Sequence, residues 1–442
     1  MRNSFDQPSG LFPAPGRWSR RLALATFFFA AALPLHADDT LLTEEVQRLR
    51  EANALLQKQV QQQGEQLETL NQKVSRMETG RQTEGGHDQP PPASRFGLNQ
   101  INLGGEGGVG YAGTGPDGFA PNGKFRVDDA RLFLEAPLWD DIYFYGEVVL
   151  TTADQQAYDS RVELGEIYVE FENLSKLWRQ DSQLNARLGQ MYIPFGEEYL
   201  MRNAMDNPLI THSIVDFWGV TPGVELYGEA GKFTYVAAVQ NGADGENGAG
   251  GDKAVAARVG FDPNPRWHFS MSAMRTGDVR ADDFSALWFG NGFFHAIGPA
   301  NPTLFHAEAV QGDLTTRWQS GHIAVSGGWA HYADNDPAGG NARDIYYYSA
   351  EVVQNLPKKF FTAARWSQVF CDHGIPLVGF GESGDYSASL TTELWRLSLG
   401  LGYRFSDRLE LKAEYALEHG RELGGDQRQN EDFFGAEAAF KF

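Results

Sequence analysis

Asp432-Phe433-Phe434-Gly435-Ala436-Glu437-Ala438-Ala439-Phe440-Lys441-Phe442 closes the chain. Phe434, Ala436, Ala438, Phe440 and Phe442 fall on one face, with Glu437 and Lys441 on the other. Period 2 belongs to a β-strand, because successive side chains leave opposite faces of the pleat. Here one face is apolar, the other is wet, and the last position is aromatic. The apolar face needs a cover, and the upstream sequence decides whether that cover is a second sheet or lipid.

The same alternation recurs from Phe96 onward in segments of about ten residues, the length that crosses a bilayer at a tilt. Sixteen such segments are counted, near 99–111, 124–137, 142–153, 161–172, 184–193, 221–229, 233–240 and 253–261, then 266–277, 303–318, 322–333, 345–354, 360–371, 392–405, 408–419 and 432–442. Their connections alternate between short ones, such as Trp139-Asp140-Asp141 and Ser406-Asp407, and long ones at 112–123, 194–220, 278–302, 334–344 and 372–391. A membrane barrel has an even number of strands, with short turns at one end and long loops at the other. A soluble sandwich has no reason to keep that rhythm. The expectation is an all-β fold, a 16-stranded antiparallel transmembrane β-barrel over 96–442, with boundaries that allow fourteen to eighteen strands. A barrel this wide leaves a water-filled lumen, whereas eight strands would be filled by side chains.

Composition agrees without deciding. The 442 residues include 50 glycines and 13% aromatics, which suits many short strands, turns and interfacial girdles. Mean hydropathy is −0.41, and no apolar run of about 18 residues follows the N-terminal region, which excludes a helical membrane protein. A net charge of −21 disfavours a nucleic-acid partner. The single cysteine, Cys371, excludes an internal disulfide.

Ahead of the barrel, 1–37 reads as a signal peptide with an N-terminal extension. Arg17, Arg20 and Arg21 precede the apolar run from Leu22 to Leu35, and Leu35-His36-Ala37 offers a cleavage site. Residues 38–79 read as a periplasmic α-helical coiled coil. Val46, Asn53, Val60, Leu67 and Val74 occupy a positions, and Leu42, Leu49, Leu56, Gln63, Leu70 and Met77 occupy d positions. Val at a, Leu at d and Asn53 favour two strands, while wide membrane barrels are usually trimers; the expectation is a homotrimer. Residues 80–95, with Gly85-Gly86 and Pro90-Pro91-Pro92, read as a linker.

The most specific stretch is Arg187-Leu188-Gly189-Gln190-Met191-Tyr192-Ile193-Pro194-Phe195-Gly196-Glu197-Glu198-Tyr199-Leu200. It resembles the phosphate-selective porin (porin O and P) family, in which an Arg-Gly-Gln strand runs into an Ile-Pro-Phe-Gly turn. Phe125-Arg126-Val127-Asp128-Asp129-Ala130-Arg131-Leu132 is similar to the family's arginine-rich second strand. The resemblance covers roughly 96–442 piecewise. It implies a sixteen-stranded trimeric outer-membrane channel whose third loop, here Pro194 to Val220, folds inward and narrows the pore. Pro194 ends a strand by removing a ladder donor, and Gly196 permits the turn. The loop carries Glu197, Glu198, Asp206 and Asp216 against Arg202, with His212 as a titrating group and no lysine. That acidity departs from the lysine- and arginine-lined loop of the phosphate-specific members.

Orienting each strand by its apolar face sends Arg131, Arg187, Arg258, Arg317, Arg365, Arg396, Lys412 and Lys441 into the lumen. Glu135, Glu147, Glu166, Glu170, Glu225, Asp313, Glu351, Glu410, Glu414 and Glu437 go there as well. Basic and acidic counts nearly cancel, and for each residue a solvated side chain or a bracing salt bridge is the blander alternative. Trp395, Leu397, Leu399 and Leu401 face lipid, as do Leu409, Leu411, Tyr415 and Leu417. Tyr346-Tyr347-Tyr348 reads as part of an aromatic girdle.

The expected function is passive diffusion of small hydrophilic solutes, anions such as phosphate or carboxylates above all. The alternative is a general, weakly selective porin that also tethers the outer membrane towards peptidoglycan through its coiled coil. A barrel hydrolase would need a nucleophile beside a base. His212, His295, His306, His331, His373 and His419 are instead scattered, with no recognisable Ser/His motif. No enzyme activity, cofactor or metal is expected.

Overall fold

The terminal strand, Phe433–Lys441, pairs with Leu409–Glu422 on one side and with Asn102–Thr114, the first strand, on the other. That second pairing closes the sheet. The computed structural model describes residues 101–150, 162–178, 183–242, 252–280, 287–290, 292–293, 304–334, 342–381 and 390–442. The signal, heptad and linker segments at 1–37, 38–79 and 80–95 lie outside the described residues.

Sixteen long strands form the barrel. In chain order they are β1 (Asn102–Thr114), β2 (Lys124–Trp139), β3 (Ile142–Leu150), β4 (Val162–Phe171), β5 (Asn185–Tyr192), β6 (Trp218–Ala230), β7 (Phe233–Asn241) and β8 (Lys253–Asn264). They continue as β9 (Trp267–Arg275), β10 (Leu304–Trp318), β11 (Gly321–Asp334), β12 (Arg343–Asn355), β13 (Phe360–Ile375), β14 (Thr391–Ser406), β15 (Leu409–Glu422) and β16 (Phe433–Lys441). Each pairs antiparallel with the next. The expected strands are all present, and most boundaries move by three residues or fewer. Within the loops, Val279–Arg280 extends the pairing of β10, Leu287–Phe289 pairs with the start of β6, and Gln427–Arg428 folds onto β15.

Alternation places the two faces as the strand pattern predicts. Leu399, Leu401, Leu411 and Tyr415 are exposed on the outer face, while Arg396, Ser398, Lys412 and Glu414 between them are buried inside. A charge on the outer face at the bilayer midplane would cost a few kcal/mol. Of the three consecutive tyrosines, Tyr346 and Tyr348 point outward and Tyr347 is buried within.

The interior departs from a uniform water-filled tube. Ile193, Phe195, Ile214, Val215 and Phe217 of the loop between β5 and β6 join Leu287, Phe289, Phe305, Tyr332, Ile345, Tyr347 and Leu377 in one buried apolar cluster. The Phe217 and Phe289 rings stack at 4.2 Å. Residues of this size each contribute about 1.5–3 kcal/mol when removed from water. Loop residues therefore supply a core that the barrel wall alone could not.

Candidate functional site

The loop at 193–217 enters the barrel because its chain is turned there and then fastened. Gly196 has φ 73°, a left-handed conformation that side chains resist, and a short 3₁₀ turn, Glu198–Met201, follows. The Gly196 N–H donates to Ser272 Oγ on β9 (3.1 Å), and Glu197 pairs with Arg258 on β8 (2.6 Å) and His268 on β9 (3.1 Å). Burial alone would raise the Glu197 carboxyl, but Arg258 and the hydrogen bonds from Ser270 and His268 hold it below the ordinary range.

Further along, the strongest attachments come from β13–β15. Glu414 accepts the N–H groups of Ile210 and Thr211 (2.6 and 2.8 Å) and the Thr211 hydroxyl (2.6 Å). Lys412 donates to the carbonyls of Ala204 and Leu209 (2.6 and 3.0 Å). Arg365 donates to the Thr211 carbonyl and Asn207 Oδ1 (2.7 and 2.9 Å), and Arg396 to the His212 carbonyl (2.8 Å). These wall cations keep acidic partners as well: Glu351 for Arg365 (2.6 Å), Glu418 for Arg396 (2.6 Å) and Glu437 for Lys412 (3.0 Å). A backbone carbonyl buried inside a barrel must find a donor, and charged wall residues supply it here.

Inside the loop, Glu198 accepts from the N–H (2.7 Å) and hydroxyl of Ser213, and Arg202 pairs with Asp216 while its guanidinium lies over Trp218 (4.3 Å). Loss of hydration lowers the Arg202 pKa to about 10. His212 lies 3.5 Å from Asp129, and lost hydration together with Arg202 pushes its imidazole below the ordinary value. The ligand-type atoms of Glu198, His212 and Asp216 fall within 4.8 Å of one another, a spacing a metal could use. Asp216 is already engaged by Arg202 and Glu198 by Ser213, so the cluster acts as a hydrogen-bonded seam.

On the opposite wall the loop leaves an open cavity of about 320 Å³ between β1–β6 and Tyr199, Leu200 and Asn203. Arg131, Arg187, Glu106, Glu147, Glu166 and Glu225 line it. Arg131 donates to the Tyr192 hydroxyl (2.7 Å) and stands 3.6 Å from Glu147. Arg187 pairs with Glu170 and Glu225 (3.2 Å each), sandwiched between the rings of Tyr168 (4.9 Å) and Tyr227 (4.5 Å).

The structure thus divides the residues singled out by sequence. Arg131 and Arg187 line the cavity. Arg202, Arg365 and Arg396 are buried in the attachment of the loop, Arg258 holds Glu197, and Arg317 is exposed near the turn between β10 and β11. Asp206 is exposed on the loop beside Asn203. Glu106, Tyr145, Tyr192 and Tyr199 are additional lining residues. Tyr145 shares the inward parity of Glu147, so strand alternation already carried that signal. Glu106, in a glycine-rich strand, offered a weaker one.

No protein-family model matches the sequence, and neither does any curated protein sequence. Solved structures do match. OmpT, an outer membrane protein of Vibrio cholerae, is similar at 11% identity and TM-score 0.51, over 77% of this chain and 97% of that one. The outer membrane channel DcaP of Acinetobacter baumannii is similar at 13% identity and TM-score 0.51, over 79% and 100%. An anion-selective porin from Comamonas acidovorans is similar at 11% identity and TM-score 0.50, over 77% and 98%. The fold is that of outer-membrane porins. The likeness of 187–200 to the phosphate-selective porins stands on its motif alone.

Proposed function

We propose that this chain is an outer-membrane porin through which small hydrophilic solutes diffuse down their gradients, in a lumen narrowed by the loop at 193–217. The observation that carries this reading is the fastening of that loop inside the barrel. Hydrogen bonds and ion pairs tie it to β8, β9 and β13–β15 and His212 meets Asp129 on β2, while an open cavity remains between the loop and β1–β6. A sixteen-stranded wall is wide enough to conduct, and selectivity is set where such a pore is narrow.

Phosphate-like anions are the weaker fit within this reading. Arg202, Arg365 and Arg396 hold the loop, and four glutamates share the cavity with Arg131 and Arg187. The selectivity stated for the Comamonas porin belongs to that protein. A homotrimer is proposed in line with OmpT, one structure of which is described as a trimer form. A peptidoglycan-directed contact through 38–79 is a separate proposal resting on the heptads.

Purified protein in a planar lipid bilayer tests the reading. Discrete conductance steps in potassium chloride are expected, with a reversal potential in a salt gradient that reports the charge preference. Absence of any conductance from correctly folded protein would overturn the pore.

A further inference from the structure

We propose that Arg428 is a positioning residue for the pore: it holds 377–380, in the loop between β13 and β14, as a roof over the packed half of the lumen, and so confines solutes to the β1–β6 side. This rests on the porin reading. The segment Gly374-Ile375-Pro376-Leu377-Val378-Gly379-Phe380 leaves its strand as the loop at 193–217 does, through Ile-Pro followed by a left-handed glycine. Gly374 and Gly379 have φ 72° and 60°, and a side chain at Gly379 would run into the Glu418 carboxylate. Ile375 and Leu377 join the apolar cluster of the inward loop. Phe380 joins a second cluster with Ile210 of that loop, Ala112, Ala416 and Phe433. Its ring stacks on Phe433 at 5.1 Å.

The wall sets this segment nearer the mouth than the inward loop. Along the inward face of β15, Glu414 takes the amides of Ile210 and Thr211, and Glu418, two inward positions closer to the long-loop end, accepts the Phe380 N–H. The Arg396 guanidinium lies 3.5 Å from the Phe380 ring and donates to the His212 carbonyl, so one side chain joins both layers. The Phe119 N–H donates to the Phe380 carbonyl (2.9 Å), and the Gly379 N–H to that of Gly290 (2.8 Å). The carbonyls of Leu377 and Val378, buried in the same segment, need donors as well. Arg428 supplies both (2.6 and 2.7 Å) and also donates to the Thr391 hydroxyl (2.9 Å). Glu431 accepts from its Nε (3.1 Å) and pairs with its terminal nitrogen (2.6 Å). Arg428 is 2% exposed and stands outside the sixteen long strands. Its donors therefore fix the path of a loop, and the wall ladder does not depend on them.

The test uses the full-length protein in a planar bilayer in potassium chloride, with polyethylene glycols of graded size as neutral probes. Arg428→Ala and, separately, Phe380→Ala are expected to raise single-channel conductance about twofold, since a second route opens beside the first. Both should also admit larger polymers than the parent does. Arg428→Lys keeps a donor and the charge beside Glu431, and its conductance is expected to fall between. A merely structural role would lower the heat resistance of the barrel on gels without moving conductance or polymer threshold. Unchanged or lower conductance in folded Arg428→Ala channels would thus overturn the roof and leave the pore standing. Where Arg428→Ala yields no folded barrel, the same result from Phe380→Ala, which leaves the Arg428 contacts in place, overturns it. Absence of conductance in the parent protein would overturn the pore itself.

Discussion

The two halves of the lumen are built from the same residue types and do opposite things. Along β13–β16, buried arginine, lysine and glutamate are held by one another and by loop backbone: Arg396 against Glu418 and His212, Lys412 against Glu437 and Leu209. Along β1–β6, arginine and glutamate line an open cavity. The difference is whether the inward loop covers them. A charged residue in the lumen is thus neither a selectivity element nor a structural brace by type; the loop's path decides which.

The largest break in this comparison should come from Arg396→Ala. It strands Glu418, fully buried, without its cation and frees the His212 carbonyl. Removing one partner of a buried pair costs about 3–5 kcal/mol. The variant is expected to lose heat resistance of the folded barrel on gels and to conduct more per channel as the loop loosens. Unchanged values for both would show that this attachment does not hold the packed half in place.

Arg202 and Arg187 sharpen the contrast from its two sides. Arg202→Ala leaves Asp216 buried and unpaired, so a stability loss on the order of 3–5 kcal/mol is expected. Arg187 is more exposed and removes positive charge from the cavity. Arg187→Ala should cost less stability than Arg202→Ala and move the reversal potential towards cations. Equal selectivity shifts from the two variants would erase the distinction between the halves.

Much of the barrel was legible because lipid and lumen impose period 2 on every strand. β14 and β15 could be read to the residue: Leu399 and Leu401 against Arg396 and Ser398. The turn at Pro194–Gly196 was also legible, since a missing donor and a left-handed glycine each have a local cause. The destination of the loop was not. Nothing local in Lys412 or Glu414 says that one will gather the carbonyls of 204–209 and the other the amides of Ile210 and Thr211, because those partners lie some two hundred positions away. Counting lumen charges consequently grouped Arg365 and Arg396 with Arg131, although the first two are covered by the loop.

A smaller effect is expected at the bend itself. With φ 73° at residue 196, Gly196→Ala places a side chain in the left-handed region, at a cost of about 1–2 kcal/mol. The added carbon would meet the flexible Gln311 amide, which can yield. A modest fall in thermal stability with nearly unchanged conductance is expected. A large change in conductance would mean that the bend, rather than the β13–β15 attachments, positions the loop.

The smallest expected effect is one of pH, through His212 on the seam between loop and wall. Lost hydration and then Arg202 depress its pKa in the folded protein, against the opposing pull of Asp129 and Glu198. In the released or unfolded loop the imidazole takes a proton near its ordinary value of 6.5. Between that value and the lower folded one, the released state binds more protons, so the attachment weakens as pH falls. The contribution is complete above pH 6.5 and is lost progressively below it. Channel current followed from pH 8 to about pH 5 should therefore grow noisier on acidification, and His212→Gln should flatten that trend. Noise that grows towards alkaline pH instead would reverse the sign of the argument and remove His212 from the seam that separates the packed half from the open one.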